Sequence, residues 1–399
     1  MKKSLVALAV AGAFAAPSAA MAVDVSFGGE FDLFLESFDN GDESIAQMNN
    51  TPSRFWWDMV DDLGTGLKVK GHLELDVGAV GYHGGNAANS AATTVCTDPA
   101  CTPGSQATVQ PGVNNRNSYI GLAGDSWGEV RFGTQENILE ATGYAVDPFH
   151  GAAGPGGNIV NGMGQSGAVG SSAVFNGSNI GARRTDSTIT YISPNWSGFT
   201  FQVDYALAGP TGTGRTAGSE DWTELFYGAR YDGQAGFGGW RVYGAGGQVD
   251  NADLSGTGGG PGTSSKDKEY RFGGGITWGN FAVDAIYEQN EWDSTDSGGA
   301  KIKRDGWWLG GSWMVPTGKV AIGYIMMNDR EVNGSDVSSS DTSNIAIGYY
   351  HTLSANSSVY AIYNGMDNGD NAAGNIQSGG TAAVGQDPST IGVGMYLVF

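Results

Sequence analysis

After residue 22 the sequence contains no run of eighteen consecutive apolar residues, so no helix of this chain is suited to crossing a bilayer. Basic residues are scarce: 20 Lys and Arg stand against 41 Asp and Glu, a formal charge of −21. Such a chain is repelled by a phosphate backbone, which excludes a nucleic-acid partner. Histidine is limited to His72, His83, His150 and His351, which are far apart in sequence and lack metal-ligand spacing. No recognisable Ser and His pair is present, so the nucleophile and base of a lipase or protease are missing and no enzymatic site or cofactor is expected. Only two cysteines, Cys96 and Cys101, occur.

Residues 1–22 carry Lys2 and Lys3, the apolar run LVALAVAGAFAA and the small residues Ala20 and Ala22. This is the pattern of a cleaved signal peptide, and it predicts export with a mature start at Val23. Loss of Lys2 and Lys3 leaves the mature chain, residues 23–399, at −23. Export places Cys96 and Cys101 in an oxidising compartment, and the short Pro-containing turn between them lets their side chains meet, so a local disulfide is expected.

Glycine is abundant at 67 residues, aromatics make up 11%, and mean hydropathy is −0.22. A wall alternating between lipid and water averages to such a value. The alternation is visible. In VDVSFGGEFDLFLES, Val23, Val25, Phe27, Phe31, Leu33 and Leu35 face one way and Asp24, Glu30, Asp32 and Glu36 the other. In LKVKGHLELDV, Lys68, Lys70, His72, Glu74 and Asp76 share a face opposite Leu67, Val69, Leu73, Leu75 and Val77. FTFQVDYAL, EYRFGGGITW, FAVDAIY and the last strand, with Ile391, Val393, Met395, Leu397 and Phe399 outward, repeat the pattern. AIGYIMM and SVYAIY do not alternate cleanly.

Connections alternate in length. Short turns fall at 61–66, 124–128, 193–198, 232–236, 278–280, 316–318 and 353–357, and longer polar stretches near 39–52, 81–115, 136–182, 208–221, 247–267, 291–304, 329–341 and 365–387. Seven turns and eight loops predict an all-β fold: a sixteen-stranded antiparallel transmembrane β-barrel, residues 23–399, closed by a terminal strand ending at Phe399. Trp127, Trp196 and Trp278 in the short turns, with Trp57 and Trp313 nearby, suit an aromatic girdle. The third long connection, 136–182, far exceeds ordinary loop length and is expected to fold into the lumen and constrict the pore.

The signal peptide, SRFWWDMVDDLGTGLKV, NRNSYIGLAGDSWGEVRFGTQ, ARRTDSTITYISPNWSGF and the terminal Phe together resemble the general porin family of Gram-negative outer membranes, over essentially the whole mature chain. The resemblance implies a homotrimer in outer-membrane lipid and lipopolysaccharide, a third loop folded inward, and a basic wall ladder in which Arg54, Arg116 and Arg184 take the family's places. Alternation independently places Arg54, Lys68, Lys70, Arg116, Arg131 and Arg184 all on the polar face, which adds Lys68, Lys70 and Arg131 to that wall, and Glu136, Glu140 and Asp147 lie in the first third of the loop opposite it. A passive channel for small hydrophilic solutes and ions, with a modest cation preference, is the expected function. A substrate-selective channel for a sugar, carboxylate or phosphate is the alternative. Asp39, Asp42 and Glu43, or Asp367 and Asp370, are candidate seats for loosely bound divalent cations at the acidic outer loops. Trp56 and Trp308 are expected to face the lumen, packed beneath loops.

Overall fold

The computed structural model describes residues 23–50, 53–78, 113–149, 184–207, 223–251, 265–293, 299–374, 376 and 383–399. Residues 1–22, where a signal peptide is expected, Cys96, Cys101 and loop residues 150–182 lie outside the described residues.

The first half of the wall consists of β1 (Asp24–Asp39), β2 (Ser44–Asn49), β3 (Arg54–Asp62), β4 (Leu67–Val77), β5 (Val113–Gly124), β6 (Gly128–Glu136), β7 (Arg184–Ile192), β8 (Phe199–Ala206) and β9 (Thr223–Ala235). The second half consists of β10 (Gly238–Asn251), β11 (Ser265–Trp278), β12 (Phe281–Asp293), β13 (Lys301–Val315), β14 (Gly318–Met327), β15 (Arg330–Val332), β16 (Ser335–Val337), β17 (Thr342–Thr352), β18 (Ser357–Asn368) and β19 (Ser389–Val398). Segments β2 and β3 lie end to end along β1, pairing with Phe34–Asp39 and Asp24–Glu30, and act as one wall strand. β15 and β16 form a small hairpin attached at Ile302 and Lys303 of β13. The remaining count is the expected sixteen strands, all antiparallel.

β1 closes on β19 in unbroken register from Glu30↔Val398 to Asp39↔Ser389. Phe399 continues the seam, exchanging backbone hydrogen bonds with Gly29 at 2.9 and 3.0 Å. Closure leaves no unpaired strand edge in lipid, the condition for a sheet to span a membrane. The period-two reading holds: Val25, Phe27, Leu35, Phe272, Ile276, Val283, Ile391, Val393 and Met395 are exposed on the outside, whereas Glu30, Asp32, Glu74, Asp204, Glu269 and Glu288 are buried on the inner register. Trp278, Trp196 and Trp313 are exposed near the short turns, Trp313 stacking on Phe281 at 5.7 Å.

The strands that alternate poorly have a reason. On β14, β17 and β18 the inward residues Ala321, Ile325, Met327, Ala346, Tyr350, Tyr360 and Ile362 are themselves apolar, and they form one buried cluster with Trp308 and Ile286. Val146 and Phe149, from the segment after β6, complete that cluster. The inner wall is apolar where a piece of chain covers it. Trp308 is accordingly a packed residue, 1% exposed.

β6 runs through Glu136, so the long connection begins at Asn137 and not at 136. It opens with one short helix, α1 (Ile138–Tyr144), whose first turn is capped by the Asn137 side chain accepting from Glu140 N at 3.0 Å. Seven residues are too few to hold a helix by propensity, so its packing must supply the stability.

Candidate functional site

The charged ladder is built on β1 to β7. Arg54 Nε lies 2.8 Å from Glu30 and 3.2 Å from Glu74; Arg116 Nε donates to the same Glu74 oxygen at 2.8 Å and its Nη1 lies 4.0 Å from Asp76. Arg184 reaches Glu136 at 2.5 Å and Glu140 at 3.7 Å. The arginines are thus paired with neighbouring wall carboxylates as well as with the loop. Glu136 is a strand residue, in register with Arg184, and not an acid facing the wall from a loop.

Two β-bulges set this arrangement. On β5, Arg116 and Asn117 both stand opposite Glu74, where the register slips between Leu73 and Leu75. Ile120 and Leu122 are exposed outward, so strict alternation counted back from them would turn Arg116 to lipid. The extra residue flips it inward. On β7, Asp186 and Ser187 share the place opposite Thr134; Ser187 takes a left-handed φ of 53°, and Asp186 accepts from Thr134 Oγ1 at 2.8 Å. That second bulge immediately precedes the register at which Arg184 meets Glu136.

Lys70 and Arg131 are not members of the ladder. They share Glu129, at 2.9 and 2.6 Å, and Arg131 lies 4.4 Å over the Tyr119 ring, which stacks on His72. Lys70 stands four residues below Glu74 on β4, roughly 13 Å along the strand, and Lys68 is nearer still to the short turn at 63–66, in register with Asp62. The basic residues named from sequence therefore form two groups at different heights. Asp147, at the far end of the described loop, folds back to accept from Phe149 N at 2.8 Å.

Alternation did not single out the residues that hold α1. Asp204 on β8 accepts from Ile138 N at 3.0 Å; Arg271 on β11 donates to Leu139 O at 2.7 Å; Arg241 on β10 donates to Ala145 O at 3.3 Å; Lys319 on β14 donates to Pro148 O at 2.6 Å. Arg271 is wholly buried, bonded also to Glu288 at 2.6 and 2.8 Å and to Glu269 at 3.3 Å. The available signal was a lone cation on the inward register of an otherwise Gly-rich strand, as in EYRFGGG. Leu139 packs with Phe226, Ala245 and Val249, and Ile138 lies against them. Wall glycines make the room: a Cβ at Gly228 would meet Ile138 at 2.7 Å, and one at Gly247 would meet Phe226 at 2.4 Å and Leu139 at 3.0 Å. Gly228→Val is expected to push α1 away from the wall and lower single-channel conductance. Conductance equal to wild type would show that α1 does not bound the passage.

Glu140 is buried, and that desolvation raises its carboxyl above the ordinary range; Arg184 opposes the shift and Glu136 adds to it.

A closed antiparallel wall, apolar outside and charged within, with a loop helix fixed to inward-facing side chains, defines a transmembrane β-barrel of the outer-membrane channel class. The sequence profile of the Gram-negative porin family matches residues 6–371, and the chain belongs to that family. It is a multi-pass protein of the outer membrane, in a family of channels rather than enzymes. An outer membrane porin protein of Bordetella pertussis is 29% identical over 226 residues, 52% of this chain and 49% of that relative, so the match spans about half of each. Among solved structures, the anion-selective porin from Comamonas acidovorans is similar at a TM-score of 0.68 and 19% identity, covering 94% of this chain and 100% of that one. OmpT of Vibrio cholerae in its trimer form is similar at 0.63 and 17%, covering 95% and 100%. At such identities the likeness is one of fold.

Proposed function

We propose that this porin is a water-filled channel for passive diffusion of small hydrophilic solutes and ions, with a modest cation preference, and that the loop beginning at Asn137 constricts it. The observation carrying the reading is the division of the inner wall. From β8 round to β18 it is engaged by residues 138–149, whereas on β1 to β7 Arg54, Asp76 and Glu136 keep 25%, 22% and 23% of their side chains exposed. The passage then runs between α1 and the ladder. Five carboxylates (Glu30, Glu74, Asp76, Glu136, Glu140) face three guanidiniums (Arg54, Arg116, Arg184) there, a sum of −2, or −1 with Glu140 protonated. That sum favours cations weakly. The overall charge contributes little at the constriction, because salt screens the distant loops within about 8–10 Å.

The functional unit in this reading is a homotrimer, the state named for the Vibrio OmpT structure. An apolar groove of about 590 Å³ on the outer face of β1, β17, β18 and β19, lined by Leu33, Leu35, Met48, Val359, Val393 and Met395, suits a neighbouring copy. At the outer rim Asp39 accepts from Gly41 N and Ser44 Oγ; Asp39, Asp42 and Glu43, or Asp367 and Asp370, are proposed as the carboxylates that would hold a divalent cation loosely. Cys96 and Cys101 are proposed to pair as a disulfide, to be checked by thiol counting on protein from intact membranes.

One observation favours the rival reading of a channel selective for a carboxylate or phosphate: among the described residues Arg116 Nη2 and Arg184 Nε are buried donors with no hydrogen-bond partner, the kind of donor an oxyanion satisfies. Liposome swelling separates the two. Rates that fall smoothly with the size of neutral sugars and ignore stereochemistry support diffusion; a saturable rate for one anion, with poor sugar entry, supports selectivity.

A further inference from the structure

Lys70 and Arg131 lie on the short-turn side of the ladder and share one inward row, with Gly121 of β5 alone between them. Their neighbours Ile120 and Phe132 are exposed outward. Two strand spacings separate the two backbones, about 10 Å. Gly121 keeps that gap bare: a Cβ there would meet Val130 O at 2.6 Å and Arg131 Cγ at 3.2 Å. The two long side chains converge on Glu129, Lys70 Nζ donating to one carboxylate oxygen at 2.9 Å and Arg131 Nε to the other at 2.6 Å.

Arg131 is held in place from two directions. Glu129 fixes its Nε, and its guanidinium lies 4.4 Å over the Tyr119 ring. His72, on the strand to the other side of Tyr119, stacks on the same ring at 5.5 Å with an interplanar angle of 17°, and is itself tied to Asp58 at 2.7 Å. What remains is the edge formed by Nη1 and Nη2, the planar fork that meets two oxygens of a carboxylate or phosphate at once. Among the described residues no acceptor takes that edge. Arg241 behaves differently, closing on Asp284 through Nε and Nη2 at 2.6 Å each. An arginine that served only to neutralise the wall would do the same. Arg131 keeps 25% of its side chain exposed and Lys70 36%, and the Lys70 ammonium has two further donors.

Charge decides the sign of what can bind. Lys70 and Arg131 against Glu129 leave one positive charge. Asp58 is committed to His72, and Asp204, farther along the row of Arg131, accepts from Thr190 Oγ1 at 2.7 Å, Gln202 Nε2 at 2.8 Å and Ile138 N at 3.0 Å. The geometry points to a binding site for a small oxyanion, a carboxylate or phosphate group, gripped end-on by the Arg131 fork with Lys70 as the second cation. It lies roughly 13 Å along the wall from Glu74. An anion that has passed Arg54, Arg116 and Arg184 meets there a fourth guanidinium, already oriented by Tyr119 and Glu129, so little ordering is left to offset its grip. The role of the site in transport rests on the lumen being the passage.

The experiment is saturation-transfer NMR on the barrel in mild detergent at low salt, titrated with succinate, glycerol phosphate or glycerol. Wild type should bind the two anions saturably and glycerol not at all. Arg131→Lys keeps the charge and removes the fork, and should raise the Kd by about tenfold; Lys70→Gln should raise it by about threefold. If Arg131→Lys does not fold, Lys70→Gln supplies the comparison. Saturable binding of only one anion assigns the site to carboxylates or to phosphate esters. Absence of saturable binding by wild type, or an equal Kd in wild type and folded Arg131→Lys, overturns the proposal. Single-channel conductance in KCl tests the passage separately: barrels that conduct but bind neither anion refute the site alone, and barrels that bind without conducting refute the channel reading.

Discussion

Arg271→Met is expected to destabilise the barrel by about 3–5 kcal/mol and, by releasing α1 from the wall into the passage, to lower its single-channel conductance. The first effect follows from burial: Arg271, Glu269 and Glu288 are all wholly inaccessible, so removing the cation strands two carboxylates away from water. The second follows from the 2.7 Å hydrogen bond to Leu139 O, which ties α1 to β11. A triple variant, Arg271→Met with Glu269→Gln and Glu288→Gln, separates the effects. It removes the charges together and should recover most of the stability, while Leu139 O remains without its donor and conductance stays lowered. Stability is read from denaturant unfolding and conductance from planar bilayers. If both variants conduct as wild type does, Arg271 is a structural ion pair with no hold on the passage.

Removing ladder arginines should increase cation preference, in an order set by exposure. A unit charge about 4 Å from an ion in water is worth about 1 kcal/mol, a factor of up to about five in permeability ratio before screening. Arg54→Ser, at the most exposed of the three, should approach that limit at low salt; Arg184→Ser should follow, freeing Glu136 and Glu140. Arg116 is 8% exposed and bound to Glu74, so Arg116→Ser should shift selectivity least and stability most. Reversal potentials across a salt gradient measure the ratio, and at 1 M salt, where the screening length is about 3 Å, the differences should shrink. Should all three variants keep the wild-type ratio at low salt, the ladder does not line the constriction and the proposed course of the loop loses its main support.

Much of the wall was legible in advance because its physics is local. A strand with lipid on one side and water on the other must alternate, a hairpin with a short turn must carry turn residues, and a closed sheet needs its last strand apolar to its end. Those conditions are written at Val23 to Ser37, at Leu67 to Val77 and at Ile391 to Phe399, and strand number follows from counting turns. The ladder was half legible. Arg54, Glu74 and Asp76 fall inward by simple parity, but the inward aim of Arg116 depends on a bulge in which Arg116 and Asn117 together face Glu74. A one-residue slip reverses every side chain beyond it, and no periodicity in β5 announces it. The anchors of α1 were hidden for a different reason. Asp204, Arg241, Arg271 and Lys319 sit on strands far from the loop in sequence, and Val146 and Phe149 find their apolar seat on β13, β14, β17 and β18. Those strands look irregular taken alone because they face a covering segment instead of water. Alternation reports which solvent each face meets; where another part of the chain takes the solvent's place, only the three-dimensional arrangement decides.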